Sequence, residues 1–222
     1  MGLEAAVIEA VIFDVDGTLV DSNDAHARAF VEAFADCGFD VPFEKVRRLI
    51  GKGSDKLIPE LIGRFDQRVA DRKKAIFRQR FLPALQPFGG VGKLLRTLHE
   101  RGIRLAVASS AGKDELDALL AVTGVAELLE QQTDADDAEH SKPDPDIVRA
   151  ALQKLALPAP GCVMVGDTPY DAEAARRAGV GFVGVRCGGW TDRDLAPALA
   201  VYDDPAALLG QLDQLARRVA VP

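Results

Sequence analysis

AVIFDVDGTLVDS, residues 10–22, joins a short apolar run to two carboxylates, Asp14 and Asp16, and then to Gly17 and Thr18. Ala10 to Phe13 have the β-prone, uninterrupted apolar character of a buried strand. The carboxylates fall where that strand would end, and Gly17 allows a tight turn that aims backbone N–H groups at an anion. In α/β domains ligands bind outside the carboxyl ends of the strands. Asp14 and Asp16 are therefore candidate site residues.

Two further apolar runs end in polar groups. RLAVASS, residues 104–110, finishes in the hydroxyls of Ser109 and Ser110. CVMVGDTPYDAEAARRAG, residues 162–179, carries Gly166 and Asp167 at its strand end and Asp171 at the start of a helix. Between them HSKPDPDI, residues 140–147, sets Lys142 before two prolines, with Pro145 suited to the first turn of the helix that follows. Lying parallel in one sheet, the three strands bring Asp14, Asp16, Ser109 and Asp167 to one edge. Lys142 and Asp171 can reach the same place from adjacent loops and helix starts.

Four carboxylates in one cleft raise one another's pKa unless something neutralises them. A divalent cation does so most simply, and an oxygen-only donor set without a His/Cys cluster favours Mg²⁺ over zinc. A metal, a lysine, serines and a glycine turn together suit a phosphate group.

DVDGT, a strand-end Ser, a Lys before Pro and GDxxxD, in this order and at these separations, resemble the four motifs of the haloacid dehalogenase superfamily of phosphatases and phosphomutases, over about Ala10 to Val185. The resemblance implies that Asp14 is the nucleophile that forms an aspartyl-phosphate. It implies that Asp16 is the general acid and base, protonating the leaving alcohol and then activating water. Mg²⁺ would be held by Asp14, the backbone carbonyl of Asp16 and Asp167, with Asp171 binding it directly or orienting its waters. Ser109 and Lys142 would hold the phosphoryl oxygens, and N–H groups near Gly17 and Ser110 would complete the cradle. Taken alone, Asp171 also reads as an acid at a helix N-terminus. Lys142 alone reads as a solvated lysine, against which Pro143 and Pro145 argue by fixing its surroundings.

The chain has 222 residues, long for one simple domain and short for two independent ones. Its 48% hydrophobic content supplies a sizeable core, and no apolar run approaches a membrane span. No basic region followed by a long apolar stretch and a cleavage site opens the sequence, so secretion is not expected. Cys37, Cys162 and Cys187 lack metal or redox spacing, which fits free thiols in a reducing cytoplasm. The net charge of -7 argues against general nucleic-acid affinity. The expected partner is a small phosphorylated metabolite rather than a nucleic acid or a membrane, and the default state is a monomer.

Between the first strand and the amphipathic run VGKLLRTLHERG, residues 91–102, lie about seventy residues, far longer than a usual βα connection. Helical spacing recurs there at Asp24 to Cys37, Lys56 to Ile62 and Gln67 to Phe81, and Pro42, Gly51, Gly53, Pro59 and Gly63 punctuate it. Residues 22–85 read as an all-helical cap, joined by two hinges to a catalytic core made of 1–21 and 86–222. This arrangement is similar to the cap of the phosphoglycolate phosphatase and β-phosphoglucomutase group, whose closure would exclude bulk water. The loop LIGKGSDKL, residues 49–57, is the specificity candidate through Lys52, Ser54 and Lys56, with Ser54 also a helix N-cap. His26 is either site-facing or an ordinary surface histidine. DADDAE, residues 134–139, reads as a solvated loop.

After residue 86, helix and strand patterns alternate: helices at 90–101, 113–122, 144–155 and 170–178, strands at 104–109, 127–133, 162–166 and 181–185. A short strand near 200–202 and a helix over 205–219 follow. This is a doubly wound parallel, Rossmann-like sheet with an inserted helical cap. No GxxxxGK[ST] loop indicates ATP-driven work. The leading expectation is a Mg²⁺-dependent phosphatase acting on a phosphoglycolate- or sugar-phosphate-like monoester. A β-phosphoglucomutase-like phosphomutase is the alternative, but the resemblance implies an arginine in the cap loop for a second phosphate, and the matching stretch has Ser54 and no arginine. Asp16 disfavours a haloalkanoate dehalogenase, and the complete motif set disfavours a non-catalytic binding or regulatory module.

Overall fold

In the computed structural model, which describes residues 8–219, the run Ala10–Phe13 is strand β1, with every side chain buried. Helices α1 (Asn23–Asp36), α2 (Phe43–Arg47), α3 (Ser54–Ile62) and α4 (Gln67–Ile76) follow. A π-helical turn, Phe77–Phe81, and a 3₁₀ turn, Leu82–Ala84, lead back toward the sheet. The chain then alternates through α5 (Val91–Glu100), β2 (Arg104–Ala108), α6 (Lys113–Thr123), β3 (Gln131–Thr133), α7 (Asp146–Leu155), β4 (Cys162–Gly166), α8 (Pro169–Ala178) and β5 (Gly181–Val185). It closes with β6 (Ala200–Tyr202), α9 (Pro205–Leu209) and α10 (Leu212–Val219). Residues 1–7 and 220–222, assigned above to the core, lie outside the described residues.

All six strands pair in parallel in the order β3-β2-β1-β4-β5-β6. Successive strands step outward from β1 to β3, and the chain then crosses back to place β4 on the other side of β1. A crevice therefore opens between the carboxyl ends of β1 and β4, where doubly wound sheets bind ligands. Phe13 is in register with Val107 on one side and Val165 on the other, so Asp14 emerges at the mouth of that crevice.

Strand side chains alternate between the two faces. Val11, Phe13, Val107 and Val165 join one core cluster with α5, α6, α9 and α10, and this cluster continues into α1, α3 and α4 through Phe30, Phe34, Leu57 and Ile76. Ala10, Ile12, Ala106 and Met164 join the other with α7 and α8. Helix-spaced apolar residues cause this, as in α5, whose buried side is Val91, Leu94, Leu95 and Leu98.

Several boundaries differ from the sequence pattern. The strand expected over 127–133 is only Gln131–Thr133, preceded by a 3₁₀ turn at Ala126–Leu128. The final helix is broken at Gly210 into two, and α2 is an additional short helix after Pro42. Ser54 is not an N-cap. Gly53 occupies that position in extended backbone, and Ser54 is the first helical residue. The expected solvated loop at 134–139 instead contains a 3₁₀ turn with a capping box between Asp134 and Asp137, and Asp134 is buried. Among the described residues no helix is long and apolar enough to cross a membrane.

Candidate active site

Asp14 follows β1, Asp167 follows β4, and Asp171 lies in the first turn of α8, so three separate elements deliver three carboxylates to the crevice. One oxygen from each lies within 4.8 Å of the others, and all three residues are buried. The Lys142 ammonium, itself 1% exposed, bonds to Asp14 and, at 2.7 Å, to Asp171. Asp171 also accepts from the backbone N–H and hydroxyl of Thr168, at 3.0 and 2.6 Å, closing a capping box at the N-terminus of α8. Asp171 thus stands both in the carboxylate cluster and in the first turn of α8. The solvated reading of Lys142 does not.

Asp167 accepts from Asn23 Nδ2 at 2.8 Å and from Thr18 Oγ1 at 3.2 Å. Two glycines make room for it. A Cβ on Gly188 would run into the Asp167 carboxylate, and one on Gly17 would meet both Asn23 and Asp167. Gly17 also has φ +81, which the turn closed by its N–H to Val20 O at 2.8 Å requires.

Burial pushes the Asp14 carboxyl well above the ordinary range, and Asp171, Asp167 and Asp16 add to this against the pull of Lys142. Burial and Asp171 raise Asp167 to about 7 despite its bonds from Asn23 and Thr18 and the attraction of Lys142. Burial disfavours the Lys142 charge, but Asp14 and Asp171 outweigh it and raise its pKa. Three carboxylates around one ammonium leave two formal negative charges in excess. A divalent cation held by oxygens of Asp14, Asp167 and Asp171 matches both that excess and the donor chemistry.

Asp16 is different in kind. Its Oδ1 lies 2.7 Å from His26 Nε2 and accepts from Ser22 Oγ at 2.5 Å. Burial acts to raise its pKa, yet the electrostatic attraction of His26, the bonds from His26 and Ser22 and the nearby Lys73 hold it at about 2. His26 stacks on Phe77, ring centroids 3.9 Å apart and 11° from parallel. It is buried on α1, which removes the surface-histidine reading. Phe77 sits where α4 passes into the π-helical turn.

A cavity of about 250 Å³ opens beside these groups. Asp14, Asp16, Lys142, Ser110, Ala111 and Gly112 line it from the sheet side, and Gly51, Lys52, Gly53, Ser54, Lys73 and Lys74 from the helical insert. Ser110 therefore faces the cavity, whereas Ser109 is buried, its hydroxyl accepting from Ala111 N at 3.1 Å within its own loop. Lys52 pairs with Glu60 and lies 4.8 Å over the Tyr170 ring, and Lys56 pairs with Asp144. The 47–56 stretch is tied to the sheet side by Arg47 Nη2 to Gly188 O at 2.6 Å, Tyr170 Oη to Arg48 O at 2.7 Å and Gly53 N to Ser141 Oγ at 3.1 Å.

Sequence reasoning missed Asn23, Gly188, Lys73 and Glu115. Asn23 directly follows the first stretch and offered a positional signal. The other three lie in patterns indistinguishable from ordinary helix or loop.

The family model for haloacid dehalogenase-like hydrolases matches residues 11–185. The chain belongs to that family. It is thus an enzyme of the hydrolase class. It is 34% identical over 216 residues to phosphoglycolate phosphatase of Rhodospirillum rubrum, covering 90% of this chain and 89% of that protein. It is 32% identical over 189 residues to protein CbbY of Rhodobacter capsulatus, covering 78% and 83%. Among solved structures, a hydrolase from Pseudomonas syringae matches with a TM-score of 0.87 and 30% identity over 92% of this chain and 98% of that one. CbbY from Rhodobacter sphaeroides, solved in complex with phosphate, matches with a TM-score of 0.79 and 28% identity over 93% and 99%.

Proposed function

We propose that this hydrolase is a Mg²⁺-dependent phosphatase acting on a small-metabolite phosphomonoester, with residues 22–85 as a helical cap over a core of 1–21 and 86–222. The carrying observation is the convergence of Asp14, Asp167, Asp171 and Lys142 at the β1/β4 crevice, beside a cavity that Asp16 also lines. The names of the relatives support the substrate class: one is a phosphoglycolate phosphatase, and CbbY was solved with phosphate.

Asp14 attacks phosphorus through a carboxylate oxygen while the bond to the ester oxygen breaks, and Asp16 gives its proton to the departing alcohol. Water then attacks the aspartyl-phosphate, Asp16 takes the water's proton, and phosphate and free Asp14 result. The ionised Asp16 that His26 and Ser22 favour suits the second step directly. In the first step an approaching phosphoryl dianion raises its pKa, as any adjacent negative charge does. Lys142 stabilises charge on the transferring oxygens, and backbone N–H groups around Gly17 and Ser110 add donors. Mg²⁺, held by Asp14, Asp167, Asp171 and the Asp16 carbonyl, would supply further positive charge at the phosphoryl oxygens.

Phosphate release from a panel of small phosphoesters, with Mg²⁺ or with EDTA, tests this reading. Metal-dependent release that Asp14→Asn lowers by about 10⁴-fold or more is expected for loss of a covalent nucleophile. Release that persists in EDTA or in the folded variant would overturn it.

A further inference from the structure

The cavity contains a charged pair to which the proposed chemistry assigns no contact with the substrate. Lys73, on α4 of the insert, donates to both carboxylate oxygens of Glu115, on α6 of the sheet side, at 2.9 and 3.2 Å. The side chains are only 9% and 11% exposed, and both residues line the cavity. The pair is continuous with the acid/base group: the Lys73 ammonium lies 4.9 Å from the centroid of Phe77, Phe77 stacks on His26, and His26 contacts Asp16. Lys73 and Glu115 thus border the region where Asp16 would meet the leaving alcohol.

An acidic substrate tail needs a cation whose charge is not already satisfied. Lys73 is taken by Glu115, and Lys52 by Glu60. Lys74 is exposed at the rim, where attraction is weak and salt-screened. A carboxylate or second phosphate reaching Lys73 would displace Glu115 or lie beside it, and like charges at such distances repel. Hydroxyl groups meet no such conflict. The Glu115 carboxylate has spare lone pairs, the ammonium has a third N–H, and Ser54 adds a hydroxyl.

We propose that Glu115, by neutralising Lys73, selects phosphomonoesters with an uncharged polyol tail and rejects those carrying a second acidic group. This rests on the phosphatase reading and identifies its substrate class. It predicts a departure from the activity named for the Rhodospirillum rubrum relative.

The test compares kcat/KM for glycerol 3-phosphate, whose tail is a neutral diol, with that for 2-phosphoglycolate, whose tail is a carboxylate. The parent enzyme is expected to prefer the diol ester. Glu115→Gln frees Lys73 and shifts the ratio toward 2-phosphoglycolate by about tenfold or more, the scale of one charged hydrogen bond. Taking the ratio cancels any general effect on Asp16. In an Asp14→Asn background, calorimetric binding gives a readout independent of turnover. There Glu115→Gln, or Glu115→Ser should the first variant fold poorly, tightens 2-phosphoglycolate about tenfold and, with a hydroxyl acceptor weakened or lost, does not tighten glycerol 3-phosphate. A parent enzyme preferring 2-phosphoglycolate, or a ratio unmoved in both assays, overturns the selectivity proposal while leaving the phosphatase reading standing. Failure of the parent to release phosphate from any ester overturns both.

Discussion

The two walls of the cavity are built on different principles. On the sheet side, Asp14 and Asp167 are anchored at strand ends and buried, the first held by Lys142 and the second by Asn23 and Thr18 behind the cavity. On the insert side, Lys52 and Lys73 at the cavity and Lys56 beside it project from helices or loops and each meets one carboxylate, with lysine exposure rising from 9% at Lys73 to 24% at Lys56. Rigid placement suits bond-making, which loses rate steeply with misplacement. Adaptable side chains on a separable layer suit selection among substrates. The sheet wall should therefore tolerate almost no change, and the insert wall should alter preference before it alters rate.

After loss of the nucleophile itself, the largest effect is expected from Lys142→Met. It removes the one buried ammonium among Asp14, Asp167 and Asp171, and breaking such a pair by deleting one partner costs about 3–5 kcal/mol. Loss of its charge at the transferring oxygens lowers kcat by about 10²–10³-fold. Thermal unfolding with and without Mg²⁺ checks the argument: the variant should gain more in Tm from Mg²⁺ than the parent, because the ion then carries the whole charge compensation. Equal gains would mean that Lys142 and the ion do not share the same carboxylates.

Gly188→Ala comes next. The added methyl meets the Asp167 carboxylate, and overpacking of this kind costs about 1–3 kcal/mol. Displacing Asp167 should weaken Mg²⁺ binding about 10–100-fold, read from the Mg²⁺ dependence of kcat. An unchanged Mg²⁺ requirement would remove Asp167 from the metal site.

These two residues also mark where the sequence was legible. Asp14 and Asp167 could be read because strand ends in a doubly wound sheet converge and apolar runs reveal strand ends, and Lys142 because Pro143 and Pro145 mark its loop. Gly188 could not, because its constraint is a contact with Asp167 that only the folded β5 connection creates. Ser109 shows a subtler limit: sequence places it at a strand end, but that its hydroxyl accepts from Ala111 N follows from the local turn. On the insert wall, helical spacing identified α1, α3 and α4 but not which residue meets which across the cavity. Glu115 lies in KDEL, residues 113–116, beside Asp114, and nothing in that run distinguishes the exposed acid from the one that reaches Lys73. The break at Ile76 escaped notice for the same reason, since a π-helical turn keeps apolar residues near helical spacing.

His26→Gln stands at the junction of the two walls and should have an intermediate effect. The insert supplies His26, but its partner Asp16 belongs to the sheet wall. Removing the imidazole takes from Asp16 its strongest lowering influence and abolishes the stack on Phe77 that holds that influence in place, so kcat should fall about 10–100-fold with KM changed far less. Phe77→Leu keeps the histidine and loses only its platform, and should give a smaller loss in the same parameter. A change confined to KM in either variant would assign His26 to substrate binding.

The smallest effect is expected from Lys56→Ala, which makes it the sharpest test of the contrast. Lys56 joins α3 to Asp144, two residues beyond Lys142, and so connects the two walls directly. Both groups are partly exposed, and Asp144 keeps a second partner in Arg177 at 2.8 Å. A pair of this kind contributes about 0–1 kcal/mol and weakens with salt. The variant should therefore unfold within a few degrees of the parent, keep its kcat, and raise KM by less than about threefold, with the difference vanishing at high ionic strength. A kcat loss matching that of His26→Gln would mean that the Lys142 loop takes its position from the insert, and the two walls would then be one mechanical unit.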